Sequence, residues 1–181
     1  MSTIEIPILR MGRAYESLDR IELPLGEGGT LETHVANPGL IRRDMLRIAR
    51  SREVLQNHST DTLASYCEEA AELFLEGILP VGNGRQGPED YVRALSQLTG
   101  LPHSLCRNNM GKVHAAMANI RTVLSGLTRG MPLELFDRGF ARQDEIEVNY
   151  FPMTEALGVV LPSNSPGVNS LWPGSQAGWV G

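Results

Sequence analysis

The sequence predicts an α/β fold in which a helical region leads into the start of a sheet. Three observations carry this expectation. From Asn37 onward apolar residues recur every three or four positions, the period of an amphipathic helix. From Glu145 the period changes to two in EIEVNYFP, as in a half-buried strand. ALGVVLP then forms a short unbroken apolar run, the pattern of a strand covered on both faces. It ends in the breaker cluster PSNSPG and restarts as the helix-like VNSLW.

In chain order, residues 1–36 read as an extended arm with short strands. TIEIPIL and TLETHV alternate apolar and polar side chains, and GEGG at 26–29 is a flexible joint between such pieces. Asn37 and Pro38 open a helix that is expected to run to about residue 57. A second helix begins with Ser59, Thr60 or Asp61 as its cap and stops at Gly77. Its apolar stripe is expected to be Leu63, Tyr66, Cys67, Ala70, Leu73 and Phe74, with Glu68, Glu69 and Glu72 turned away. PVGNGRQGP at 80–88 is a loop by composition, and its glycines lack the preceding strand and the spacing of a dinucleotide fingerprint. Pro88 and Gly100 bracket a short helix. The longest helical pattern runs from His103 to Leu127 through Leu105, Met110, Val113, Met117, Ile120, Val123 and Leu124. Gly111 inside it costs about 1 kcal/mol against alanine, and close helix packing is the expected reason for it. Four helices and then two strands are therefore expected, with a helical region at 37–142 and the start of an α/β domain at 143–181.

Composition narrows the function. A net charge of −5 argues against a nucleic-acid partner, which would call for a basic face. Arg42, Arg43, Arg47, Arg50 and Arg52 cluster, yet they alternate with apolar residues, so most should be solvated; an anion or partner site is the alternative. Lys112 is the only lysine, so no phosphate-loop lysine follows a glycine turn. No apolar run approaches the ~20 residues that span a bilayer, and no export signal opens the chain; a cytoplasmic protein without a membrane partner is expected. Cys67 and Cys106 are expected to be reduced, buried and structural. His34, His58, His103 and His114 lack ligand spacing and are expected at the surface or the core edge, with no metal site.

A buried strand that runs into a tight turn and a helix begins a βα unit, and ligands bind where such strands end. A plain strand-to-helix connection capped by Asn164 is the competing reading. The stretch EALGVVLPSNSPGVNSLW resembles the aldehyde dehydrogenase superfamily, in which a P-L-G-V-V strand runs into P-W-N-F-P before a helix. The Ser-Asn-Ser-Pro-Gly version is closest to the acyl-CoA reductase branch. The likeness covers residues 37–172 in element order and about 156–172 in motif.

The resemblance implies a Rossmann-type cofactor domain, here incomplete, and chemistry on an aldehyde or acyl-thioester substrate with NAD or NADP. Asn164 matches the carboxamide that stabilises the oxyanion formed when a cysteine thiolate attacks a carbonyl. Leu161, Pro162 and Ser163 match the strand end that borders the cofactor. Ser165 stands where many members carry an aromatic beside the substrate tunnel, which implies a wider or more polar tunnel. The family's lysine-proline strand, general-base glutamate and nucleophilic cysteine all fall later than Gly181. The chain is therefore expected to be an N-terminal portion, inactive alone, with self-association or a further C-terminal portion completing it. A non-enzymatic helical interaction module, using the 38–57 and 103–127 faces, is the alternative.

Overall fold

A computed structural model describes residues 3–154 of the chain. It mixes helices and strands, as an α/β chain should. Thr3–Ile6 (β1), Ile8–Arg10 (β2), Arg13–Tyr15 (β3), Arg20–Leu25 (β4) and Gly29–His34 (β5) come first. Pro38–Met45 (α1), Ile48–Leu55 (α2) and Thr60–Glu76 (α3) follow, then Leu79–Val81 (β6) and Gly84–Gln86 (β7). Pro88–Thr99 (α4), His103–Ala118 (α5), Ile120–Leu127 (α6) and Glu134–Arg138 (α7) precede Phe140–Gln143 (β8) and Ile146–Asn149 (β9).

The chain forms two compact units. One combines residues up to Arg47 with Leu73–Asn108; the other combines Ile48–Glu72 with the described residues from Asn109 onward.

In the first unit the short strands expected in the N-terminal segment are present, and three of them pair into one sheet. β5 is central, with β1 parallel on one side and β4 antiparallel on the other. Strand alternation explains why it holds. Ile4, Leu31 and Leu23 share one row, and Ile6, Thr33 and Ile21 the next on the same face. The opposite face carries the row Glu5, Glu32 and Glu22, with His34 beside Arg20. Gly26–Gly28 form a single 3-10 turn that closes the β4–β5 hairpin. Pro7 separates β1 from β2, which pairs with β3 around Met11 and Gly12, both at positive φ.

The predicted loop at 80–88 contains a hairpin, β6 and β7, turning at Gly82. Gly82 has φ +55, and a Cβ there would lie 1.3 Å from the Glu5 carbonyl oxygen. Only glycine allows this approach to β1. α4 begins with Pro88 at its first turn, the Gly87 N–H donates to Asp90 Oδ2 at 3.1 Å, and Gly100 ends it at φ 72. Leu25, Leu40, Val92 and Cys106 are this unit's buried apolar residues.

In the second unit Ala64, Ile120 and Leu124 form a buried cluster, joined by Cys67, Leu133 and Phe136. Leu135 is fully buried, worth about 1.5–3 kcal/mol on burial. The buried line of α3 is Thr60, Ala64 and Ala71, flanked by Cys67, whereas Tyr66 and Leu73 are about half exposed. The expected stripe is thus rotated, because small residues let the helix approach its neighbours closely. The 37–57 pattern divides into α1 and α2, and the long pattern divides at Asn119, whose φ −107 leaves the helical region. A Cβ added to Gly111 would meet nothing within 4 Å, so close packing is not the role of this glycine. Seven α-helices are therefore present among the described residues, against four expected.

Candidate functional site

Two polar centres stand out, one in each unit. The first is built by strand register. Because β1 runs parallel to β5 with Glu5 beside Glu32, and His34 lies two residues on, all three project from one face. His34 is buried, with its side chain fully enclosed. Its Nδ1–H donates to the Ser17 carbonyl at 2.8 Å, since a carbonyl can only accept. Its Nε2 lies 2.9 Å from Glu5 Oε1. The hydrogen bond to Glu5, reinforced by the Ser17 carbonyl, raises the His34 pKa above its ordinary value; burial and Arg20 oppose the shift.

The nitrogen and the two carboxylates lie within 4.8 Å of one another, close enough to hold a metal ion. Each group already has a partner, however. Glu5 takes His34, and Glu32 takes the guanidinium of Arg20. The arrangement is a closed ion-pair network. His34 is therefore neither a surface histidine nor an edge one, as its sequence context suggested. The non-local β1–β5 pairing that assembles it leaves no mark on spacing within either strand.

The second centre is a cavity of about 510 Å³ in the second unit. Its floor is the start of α3. Ser59 Oγ accepts the Thr62 N–H at 3.1 Å, and Asp137 Oδ1 accepts both the Thr60 N–H at 2.7 Å and the Thr60 hydroxyl at 2.6 Å. Asp137 thereby caps α3 from α7, seventy-seven residues away, and its charge suits the positive end of the helix dipole. Phe136 and Tyr150 meet edge to face at 5.8 Å, and both line the cavity. Arg52, Gln56, His58 and Arg138 supply the nitrogen-bearing side chains of its walls.

Arg52 is the unusual member. Its Nε is buried without a hydrogen-bond partner, the one such side-chain atom among the described residues. It also has no acidic partner there, whereas Arg10 takes Asp44 in two hydrogen bonds and Arg107 takes Glu89 likewise. Arg42, Arg43, Arg47 and Arg50 are exposed, as most of that cluster was expected to be; Arg52 is not. The signal is present in the sequence. Arg52 lies four residues after Ile48 and three before Leu55, which places it on the half-buried face of α2.

Neither cysteine suits nucleophilic work. Cys106 is fully buried, and burial, helped by the charge of Glu68, raises the Cys67 thiol pKa above its ordinary value. The site residues expected from the sequence, Leu161, Pro162, Ser163, Asn164 and Ser165, lie outside the described residues. No helix among the described residues is long and apolar enough to cross a membrane. No family model, no curated protein and no solved structure matches this chain.

Proposed function

We propose that the chain is the N-terminal part of an NAD(P)-dependent, aldehyde dehydrogenase-like oxidoreductase, closest to the acyl-thioester reductases. The observation that carries this reading is the sequence ALGVVLPSNSPGVNSLW itself, with Asn164 in the Pro/Gly-rich cluster that follows an apolar run. The order of elements before it, helices and then the β8–β9 hairpin, is compatible with that reading. The two cysteines add a constraint. Since Cys106 is enclosed and burial raises the Cys67 thiol pKa, the reading calls for a thiolate nucleophile from outside these 181 residues.

In this reading the cofactor, when bound, exchanges hydride with the substrate. The chain's own contribution is the Asn164 amide, which donates to the oxygen that gains negative charge as the thiolate attacks. A fixed donor of this kind acts most strongly in the transition state. In a longer chain that carries the nucleophile, Asn164→Ala should lower kcat by about 10²–10³-fold with little change in substrate KM. A loss under about threefold would end the oxyanion assignment. A reading frame that continues past codon 181 into a lysine-proline strand and a later cysteine would support the family assignment, and a frame without them would remove it.

One observation favours a second reading, a helical interaction module. Ile41 and Met45 on α1, Leu46 just after it and Val54 on α2 are each at least half exposed, Leu46 at 81%. If these faces bind another copy, the elution volume of the purified chain should fall as concentration rises.

A further inference from the structure

We propose that the cavity between α2, the start of α3 and α7 binds a small organic monocarboxylate through Arg52 and Arg138, with an apolar body resting on Phe136 and Tyr150. This goes beyond the oxidoreductase reading and stands or falls without it. Four features of the cavity lead to it.

The first is size. At about 510 Å³ the cavity falls within the roughly 300–1,000 Å³ usual for small-molecule sites. The second is the orphaned cation. A guanidinium remains charged at any physiological pH, and a buried N–H of a charged group without an acceptor is costly. No described residue gives Arg52 Nε that acceptor, although Arg10 and Arg121, the other partly enclosed arginines among the described residues, each have a carboxylate. A planar two-oxygen anion matches the fork of an arginine in a way a single chloride cannot.

The third is charge. Arg52 and Arg138 outnumber the one aspartate in the lining, so the formal charges of these three side chains sum to +1. A monocarboxylate neutralises this. A phosphate dianion would leave an excess of negative charge beside Asp137, whose Oδ1 is committed to Thr60. The fourth is the apolar remainder. Leu55, Leu63, Phe136, Tyr150 and Pro152 offer aliphatic and aromatic surface beside the polar groups, so the ligand must have a body as well as a charge.

The test uses the 181-residue chain, with benzoate as the probe followed by calorimetry and by amide chemical shifts. Saturable binding at one site is expected, with shifts concentrated in α2, the first turn of α3 and α7. Arg52→Met and Arg138→Gln should each weaken benzoate by about tenfold or more, and benzyl alcohol, which keeps the ring and loses the charge, should bind at least about tenfold more weakly. Arg138 is exposed, so its variant keeps the test open should Arg52→Met disturb α2. Three results would overturn the proposal: no saturable benzoate binding, undiminished binding by both folded variants, or inorganic phosphate binding more tightly than benzoate.

Discussion

The two polar centres solve the same problem in opposite ways. In the first unit a buried histidine has a partner on each ring nitrogen, and the carboxylates around it are paired in turn. In the second unit a half-buried arginine has a buried, orphaned nitrogen, while the aspartate in the same lining is engaged by a helix terminus. Buried polar groups are normally hydrogen-bonded, and the exceptions require an explanation. A closed network points to structure, and an open one points to a ligand. The contrast teaches that burial of a charged group is not itself a functional signal; the missing partner is.

The contrast can be broken most severely at Asp137. Its Oδ1 holds the Thr60 N–H and hydroxyl, and Thr60 is only 4% exposed. Asp137→Ala leaves two enclosed donors without an acceptor, a loss of about 2–4 kcal/mol. Chemical denaturation should report it. In a Thr60→Val background one of the two donors is already gone, so Asp137→Ala should cost less there. Equal cost in both backgrounds would show that Asp137 does not cap α3.

The first centre can be sharpened with pH. Partnership with Glu5 raises the His34 pKa in the folded chain above its unfolded value near 6.5. The charged form is therefore favoured by folding. Its stabilisation is fully present below the unfolded pKa and is lost as pH rises through the higher folded value. The thermal midpoint of the wild-type chain should fall across that window, on the alkaline side of 6.5. Glu5→Gln should flatten the dependence, since the neutral amide no longer favours the imidazolium. A wild-type profile that is flat or rises there would contradict the ion pair.

Much of the architecture is legible wherever the determinants are local. Asn37 accepts the Leu40 N–H at 2.9 Å as an N-cap should, and Pro88 and Gly100 bound α4 where the sequence places them. The alternation of TIEI and TLETH likewise leads to β1 and β5. Legibility fails where a partner distant in sequence decides the outcome. The β6–β7 hairpin is hidden by Pro80 and its glycines, one of which is needed for the approach to β1. Periodicity misplaces the α3 stripe because it gives bulky Tyr66 and Leu73 the interior that Ala64 and Ala71 occupy. The Glu5–His34 pair depends on register between strands more than twenty residues apart, and Asp137 reaches across still more of the chain. Of the residues in the two centres, Arg52 is the one whose burial periodicity can indicate.

That residue supplies the smallest expected effect and the most discriminating one. If the Arg52 guanidinium were part of a structural network, its removal would destabilise the fold as loss of one member of a buried pair does. In the open arrangement its charge is uncompensated, and an unbranched apolar side chain costs nothing in hydrogen bonds at Nε and relieves the desolvated N–H. Arg52→Met should therefore leave stability within about 0.5 kcal/mol of wild type, or raise it. Adding benzoate should then reverse the order, because the ligand stabilises only the chain that binds it. The wild-type thermal midpoint should rise with benzoate concentration and the variant's should not. Loss of stability in the ligand-free variant, by more than about 1 kcal/mol, would mean that Arg52 has a structural partner and that the two centres are alike after all.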